Sequence, residues 1–160
     1  VATTLPALRR YQLQSAWVWE HQALVRTRVV AGDAALKKAL ESLRMEVLAL
    51  PREQSELASA VCDMRDKMRV EHTTSSKGRN HFDLKRDPGG IVDIEFVVQY
   101  LVLAHAGEHA ELTIWSDVIR LLEALEQTGL IAANEAKMLS QGVSRLSQRD
   151  ALSGTAGACR

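Results

Sequence analysis

Few residues here could punctuate or cross-link a fold: two cysteines, three prolines, three tryptophans, two tyrosines and two phenylalanines stand among 160 residues. Cys62 and Cys159 are spaced as in no zinc module or disulfide framework, which points to a reducing, cytoplasmic setting. Net charge is lacking as well. Twenty basic residues balance twenty acidic ones, so no overall field draws the chain to nucleic acid or to an anionic membrane. The longest apolar run, Ile94 to Ala104, is interrupted by Glu95 and Gln99 and falls short of the roughly 20 residues of a membrane span. No period of 20 to 50 residues recurs, which argues against a solenoid. No charged segment followed by an apolar stretch opens the chain, which starts at Val1 in mid-pattern, as expected of an excised piece of a longer protein.

What is present is hydrophobic content of 46%, enough for one self-contained core. The spacing predicts an all-α fold, a bundle of about six helices around a central apolar one, with residues 1–152 as a single helical domain and 153–160 as a frayed tail. Leu8 to Val30 lacks Gly and Pro and reads as one long helix, stopped by Gly32 and followed by Asp33 as the next N-cap. Trp17, His21, Leu24 and Arg28 form one stripe along it, and Trp19, Ala23, Arg26 and Val30 another. Leu36, Leu40, Leu43, Val47 and Leu50 give the second helix an apolar face. Pro51 opens a third carrying Leu57, Val61, Met64 and Met68, expected to pack antiparallel to the second.

Arg65, Asp66, Lys67 and Arg69 read as a solvated face near the end of the third helix, Glu71 to Asn80 as a surface loop, and His81 to Asp87 as extended. Ile91 to His105, apolar on nearly every side, is the expected central helix. Ser116 is the expected cap of a fifth helix closed by Gly129, and a sixth starts near Ala133.

Chemistry concentrates in FDLKRDPGGIVDIEF, Phe82 to Phe96, where charged groups surround a glycine pair opening an apolar helix. One reading makes it an anion site, with Gly89 and Gly90 admitting a phosphate to the helix N-terminus and Lys85 adding charge. The other makes the glycines a turn, Asp93 a partner of the helix dipole, and Lys85 a partner of a neighbouring carboxylate. Asp93 and Glu95, two residues apart on a helix, diverge by about 200° and cannot grip one metal ion. Glu95, aimed into the bundle, needs a cation such as Arg26 or Arg28. His21 lacks a nearby Ser, Cys or Asp to form a nucleophile–base pair, and reads as structural.

The segments YQLQSAWVWEHQALVRTRVVAGD, LPRE, MRDKMR, FDLKRDPGGIVDIEFVVQYLVLAHA and WSDVIRLLEAL occur in the order in which similar segments occur in the glutamine synthetase adenylyltransferase family. The chain resembles the helical domain that follows that family's C-terminal nucleotidyltransferase domain. The resemblance implies a parent enzyme that transfers AMP from ATP to a tyrosine of glutamine synthetase, with magnesium, under control by the PII signalling protein and glutamine. It places the metal-binding carboxylates in a Gly-Ser and Asp-x-Asp motif of the preceding domain, a motif absent from this sequence. The isolated piece is therefore expected to be inactive, with no catalytic residue, metal ligand or bound cofactor of its own. The same resemblance offers Lys85, Gly89, Gly90 and Asp93 as the nucleotide side of a cleft. Trp19, Glu20, His21, Arg26, Arg28 and Glu95 become structural ion-pair or domain-interface groups. The competing role is an interaction module that docks glutamine synthetase or relays the PII and glutamine signal.

Overall fold

A computed structural model describes residues 3–75 and 83–156, with side chains described in 3–71 and 83–148. Among these residues the chain is all α, with seven helices and one 3-10 turn and no strand. The helices are α1 (Leu5–Gln14), α2 (Val18–Val25), α3 (Ala34–Leu48), α4 (Gln54–Ser75), α5 (Ile91–His105), α6 (Val118–Gln127) and α7 (Ala133–Ala156), with the 3-10 turn at Ala110–Thr113.

The central helix is α5, which matches the expected bounds. It packs against α2, α4, α6 and α7, which is why its sequence has no polar stripe. Val98, Val102 and Leu103 lie in one buried core cluster with Val25, Leu48, Leu57 and Val61 and with Leu121, Leu122 and Leu125. Each fully buried leucine contributes about 1.5–3 kcal/mol relative to its exposed state. Asp33 caps α3 as expected, its carboxylate accepting the N–H groups of Ala35 and Leu36.

The single helix expected over Leu8 to Val30 is two helices. α1 ends at Gln14, Trp17 is extended at φ −82° and ψ 159°, and α2 closes at Val25 with Arg26 as its C-cap. Neither expected stripe is therefore continuous. The break is made by side chains: Glu20 accepts the Trp17 N–H at 2.8 Å and the Tyr11 hydroxyl at 2.7 Å, while the His21 ring reaches the Gln12 carbonyl at 2.9 Å. The Trp17 N–H and the Gln12 carbonyl are groups that an uninterrupted helix would have paired internally. Hydrophobic spacing, with no Gly or Pro to mark the join, passes through it without a signal.

Other boundaries also move. The third helix begins at Gln54, not at Pro51, because Glu53 accepts the Glu56 N–H at 2.7 Å and acts as the cap. α4 then continues to Ser75 through the first part of the expected loop; the remainder of that loop, with His81 and Phe82, lies outside the described residues. Asp83 to Asp87 is a turn instead of an extended segment, since Asp87 N–H donates to the Asp83 carbonyl at 3.0 Å. Asp117, not Ser116, caps α6. Gly129, at φ 75°, closes α6 with the Leu130 N–H on the Leu125 carbonyl. α7 runs from Ala133 to Ala156, and residues 157–160 lie outside the described set.

The expected antiparallel pairing of the second and third helices is not the main packing. α3 lies chiefly on α1 and α2, and α4 on α2 and α5, so that α2 separates them. Two arginines, Arg44 buried and Arg52 partly buried, hold this arrangement. Arg44 donates to the carbonyls of Leu24 at 2.8 Å and Val25 at 2.6 Å, where α2 ends, and to those of Thr113 and Trp115. Arg52 serves Val47 at 2.7 Å, Leu48 at 3.0 Å and Leu50 at 2.9 Å, where α3 ends, and Leu103 near the end of α5 at 3.2 Å. Each fork supplies donors where helix-end carbonyls collect, and of these Leu24 and Val47 also accept the N–H groups of Thr27 and Leu50.

Candidate functional site

The segment Asp83 to Glu95 is a tightly bonded turn leading into α5. The Asp83 carboxylate accepts the N–H groups of Lys85 at 2.9 Å and Arg86 at 3.1 Å, and the Asp87 carboxylate accepts the Asp83 N–H at 2.8 Å. Gly90, Ile91 and Val92 donate to the carbonyls of Asp87, Leu84 and Lys85 at 2.8, 3.1 and 3.1 Å. The first amides of α5 are thus engaged by the turn before it, and a phosphate approaching Gly89 and Gly90 would have to displace those bonds. Gly90 has a steric role: a Cβ there would lie 2.7 Å from the Leu84 carbonyl oxygen and 2.9 Å from those of Asp87 and Lys85. Gly89, at φ 85°, supplies the left-handed residue of the turn.

Asp93 closes this turn onto α4. Its carboxylate accepts the Gly89 N–H at 2.7 Å and pairs with Arg65 and, at 3.2 Å, with Arg69. Burial would raise its pKa, but the Gly89 N–H and the two guanidinium groups outweigh burial and hold it below the usual value. Arg65 is 6% exposed and reaches the Arg86 carbonyl at 2.8 Å as well. The expectation of a solvated basic face on this part of α4 is therefore corrected for Arg65: it is buried because a carboxylate and a carbonyl are presented to it across the helix interface. Lys85 is exposed, and no described residue holds its ammonium.

Glu95 leaves α5 on the other side and pairs with Arg26 of α2. One turn on, Gln22 donates to Gln99 at 3.3 Å, so α2 and α5 run antiparallel and the C-terminal end of α2 lies at the same end of the bundle as the 83–90 turn. Arg28 is exposed just beyond α2, and Trp19 is half exposed near the other end of that helix, about two turns from Arg26. Lys85, Gly89, Gly90, Asp93, Arg26 and Glu95 thus share one end, while Trp19, Glu20 and His21 stand at the α1–α2 junction.

His21 is buried, with its Nε2–H on the Gln12 carbonyl and its Nδ1 accepting from Arg52 at 3.2 Å, an arrangement only the neutral ring can make. Burial and the Arg52 charge lower its pKa against the raising effects of the Gln12 carbonyl and of Glu20. Burial also pushes the Arg52 guanidinium down to about 10. For a histidine depressed in the folded state, the stabilisation is complete above the unfolded value near 6.5 and is lost as pH falls towards the lower folded value. Urea midpoints should therefore decline as pH drops through about 6.5 and below, and His21→Phe should be less stable with a flatter profile over that range. An unchanged slope in the variant would remove His21 as the cause.

Between α4 and α5 runs a groove of about 570 Å³, apolar along Ala58, Val61, Phe96, Val97 and Tyr100 and ending at Arg65, Arg69 and Asp93. Among the described residues no three His, Cys, Asp or Glu side chains converge to hold a metal ion. Asp93, with two arginines on it, is not a donor set for magnesium. No described helix is long and apolar enough to cross a membrane.

Arg44 and Arg52 were not among the residues that sequence reasoning singled out. Arg52 had one local signal, a cation directly after the Pro that stops a helix, where orphan carbonyls collect. Arg44 had none, because it occupies a regular position within α3 and its acceptors come from two distant parts of the chain.

Comparison with known proteins divides the chain in two. Residues 1–43 match the family described as glutamate-ammonia ligase adenylyltransferase, and residues 62–151 match that described as GlnD PII-uridylyltransferase. The bifunctional glutamine synthetase adenylyltransferase/adenylyl-removing enzyme of Pseudomonas aeruginosa is 48% identical over 151 residues, covering 88% of this chain and 15% of that protein. The chain spans about 15% of the length of that curated relative.

Proposed function

Because the chain belongs to the glutamine synthetase adenylyltransferase family, as a helical region with a part shared with the PII-uridylyltransferases, we propose that it forms one wall of an active site whose reactive centre lies in a neighbouring nucleotidyltransferase domain. The whole protein, in this reading, is a cytoplasmic enzyme that uses ATP and magnesium to adenylylate a tyrosine of glutamine synthetase. The wall is the end of the bundle that carries the 83–90 turn and the Arg26–Glu95 pair.

One observation carries the proposal. The 83–90 turn is bonded at nearly every amide and yet leaves the Lys85 ammonium exposed without a described partner. A cation held on a rigid turn can meet a polyphosphate without reorganising, and that is the form in which charge stabilisation is most effective. Gly89, Gly90 and Asp93 then act as the frame of the turn, with Lys85 as the group that faces nucleotide. The residues of this chain supply no magnesium site in the proposal; the metal's role, neutralising charge on the triphosphate, belongs to the neighbouring domain.

In the full-length enzyme, Lys85→Ala should raise KM for ATP or lower kcat/KM by roughly tenfold, the loss expected for one charge-assisted contact. Steady-state adenylylation of glutamine synthetase at varied ATP is the measurement. Unchanged constants would leave the wall without its proposed contact.

The alternative, an interaction module docking glutamine synthetase or the PII protein, draws on the α1–α2 junction. Trp17 and Trp19 are 71% and 48% exposed there, and large exposed aromatics are enriched at protein interfaces. That role and the first are compatible, since the junction lies away from the 83–90 turn.

A further inference from the structure

We propose that Arg65 is a positioning residue for the nucleotide-facing turn: by holding the Asp93 carboxylate and the Arg86 carbonyl at once, it fixes the turn against α4 and so sets where Lys85 points. This inference rests on the reading of Lys85 as a nucleotide contact and adds to it the device that aims the lysine.

The case begins with the two ends of the fork. Arg65 Nε donates to Asp93, on the first turn of α5, and Arg65 Nη2 donates to the Arg86 carbonyl at 2.8 Å, in the residue directly after Lys85. A guanidinium is planar, and two fixed acceptors on one fork determine its orientation as well as its distance. The position of the Arg86 carbonyl is thereby tied to the axis of α4. Asp93 completes the tie by accepting the Gly89 N–H at 2.7 Å, so the turn is gripped at Arg86 and at Gly89, on either side of Pro88. Lys85 lies one residue outside that grip, and its own N–H is held by Asp83.

Arg69 approaches the same carboxylate at 3.2 and 3.3 Å, with a side chain that is 40% exposed. Arg65 is the buried member, 6% exposed. A residue needed only for charge balance at Asp93 could be replaced by Arg69 alone; the contact to Arg86 is what Arg65 adds. Lysine in its place would keep the charge but carries its three donors on one nitrogen, and the two acceptors sit in fork geometry.

The test uses the full-length enzyme in a cycle of Arg65→Lys, Lys85→Ala and the double variant, with KM for ATP and kcat measured for each. Melting temperature and hydrogen exchange of residues 83–93 accompany the kinetics. Arg65→Lys is chosen because it retains the cation beside Asp93. The expected result is a KM for ATP raised by roughly as much as in Lys85→Ala, a double variant no worse than either single one, and faster exchange at Arg86 to Gly89. Additive effects, or a lowered melting temperature with KM unchanged, would show Arg65 to be merely structural and overturn the inference while leaving Lys85 as a contact. If Lys85→Ala itself leaves KM and kcat unaltered, the underlying reading falls and the inference falls with it.

Discussion

Arg44→Met should destabilise the domain by about 3–5 kcal/mol, the largest loss expected of any single side chain outside the leucine core. Methionine fills a similar volume, so little of this is cavity. The loss arises because one guanidinium donates to the carbonyls of Val25, Thr113 and Trp115 and, beside the Thr27 N–H, to that of Leu24. Burial lowers the pKa of Arg44, against the raising effect of Glu41. Domains are stable by about 5–15 kcal/mol, so the variant should melt on the order of 10 °C lower. Arg9→Ala provides the contrast: Arg9 pairs with Glu46 on the surface, and its loss should cost less than about 1 kcal/mol. If chemical denaturation placed the Arg44 and Arg9 variants at the same midpoint, the carbonyls must be served by water and the account of Arg44 would fail.

Gly90→Ala should cost about 2–4 kcal/mol and disorder the turn, more than Gly89→Ala does. This ordering runs against the usual rule that the glycine with positive φ is the sensitive one. Gly89, at φ 85°, has nothing within 4 Å of where a Cβ would go, so alanine there meets only the backbone penalty of roughly 1–2 kcal/mol. Gly90 has an ordinary φ of −77°, but its Cβ would press on the three carbonyls of Leu84, Lys85 and Asp87. Those carbonyls accept the amides of Ile91, Val92 and Gly90, so relieving the clash strains three hydrogen bonds together. Melting curves of the two variants give the order directly. In the full-length enzyme Gly90→Ala should also raise KM for ATP, because Lys85 would lose its platform. A more stable Gly90→Ala than Gly89→Ala would remove the steric role assigned to Gly90.

The candidate site was only partly legible beforehand. The concentration of charge and glycine in Phe82 to Phe96 marked the segment, and the 3.6-residue period separated Asp93 from Glu95, which do face α4 and α2 respectively. Composition could not show which groups the amides of the turn would bond. Open amides would make an anion cradle, whereas engaged ones make a frame, and the difference lies in the carbonyls of Leu84, Lys85 and Asp87, which no spacing rule locates. The burial of Arg65 was hidden for a related reason: on α4 it sits among Asp66, Lys67 and Arg69 as one more surface charge, and only its partners on α5 and the turn make it an interior one.

By itself the sequence determined the helical class, the central place of Ile91 to His105 and the cap at Asp33. These follow from short-range rules, the period of apolar residues and the chemistry of a helix end, which act within a few residues of the chain. Tertiary structure alone decided the break at Trp17, the separation of α3 from α4 by α2, and the carbonyls that Arg44 and Arg52 would serve. Each of these depends on a donor and an acceptor brought together from distant positions, and burial then makes their pairing obligatory.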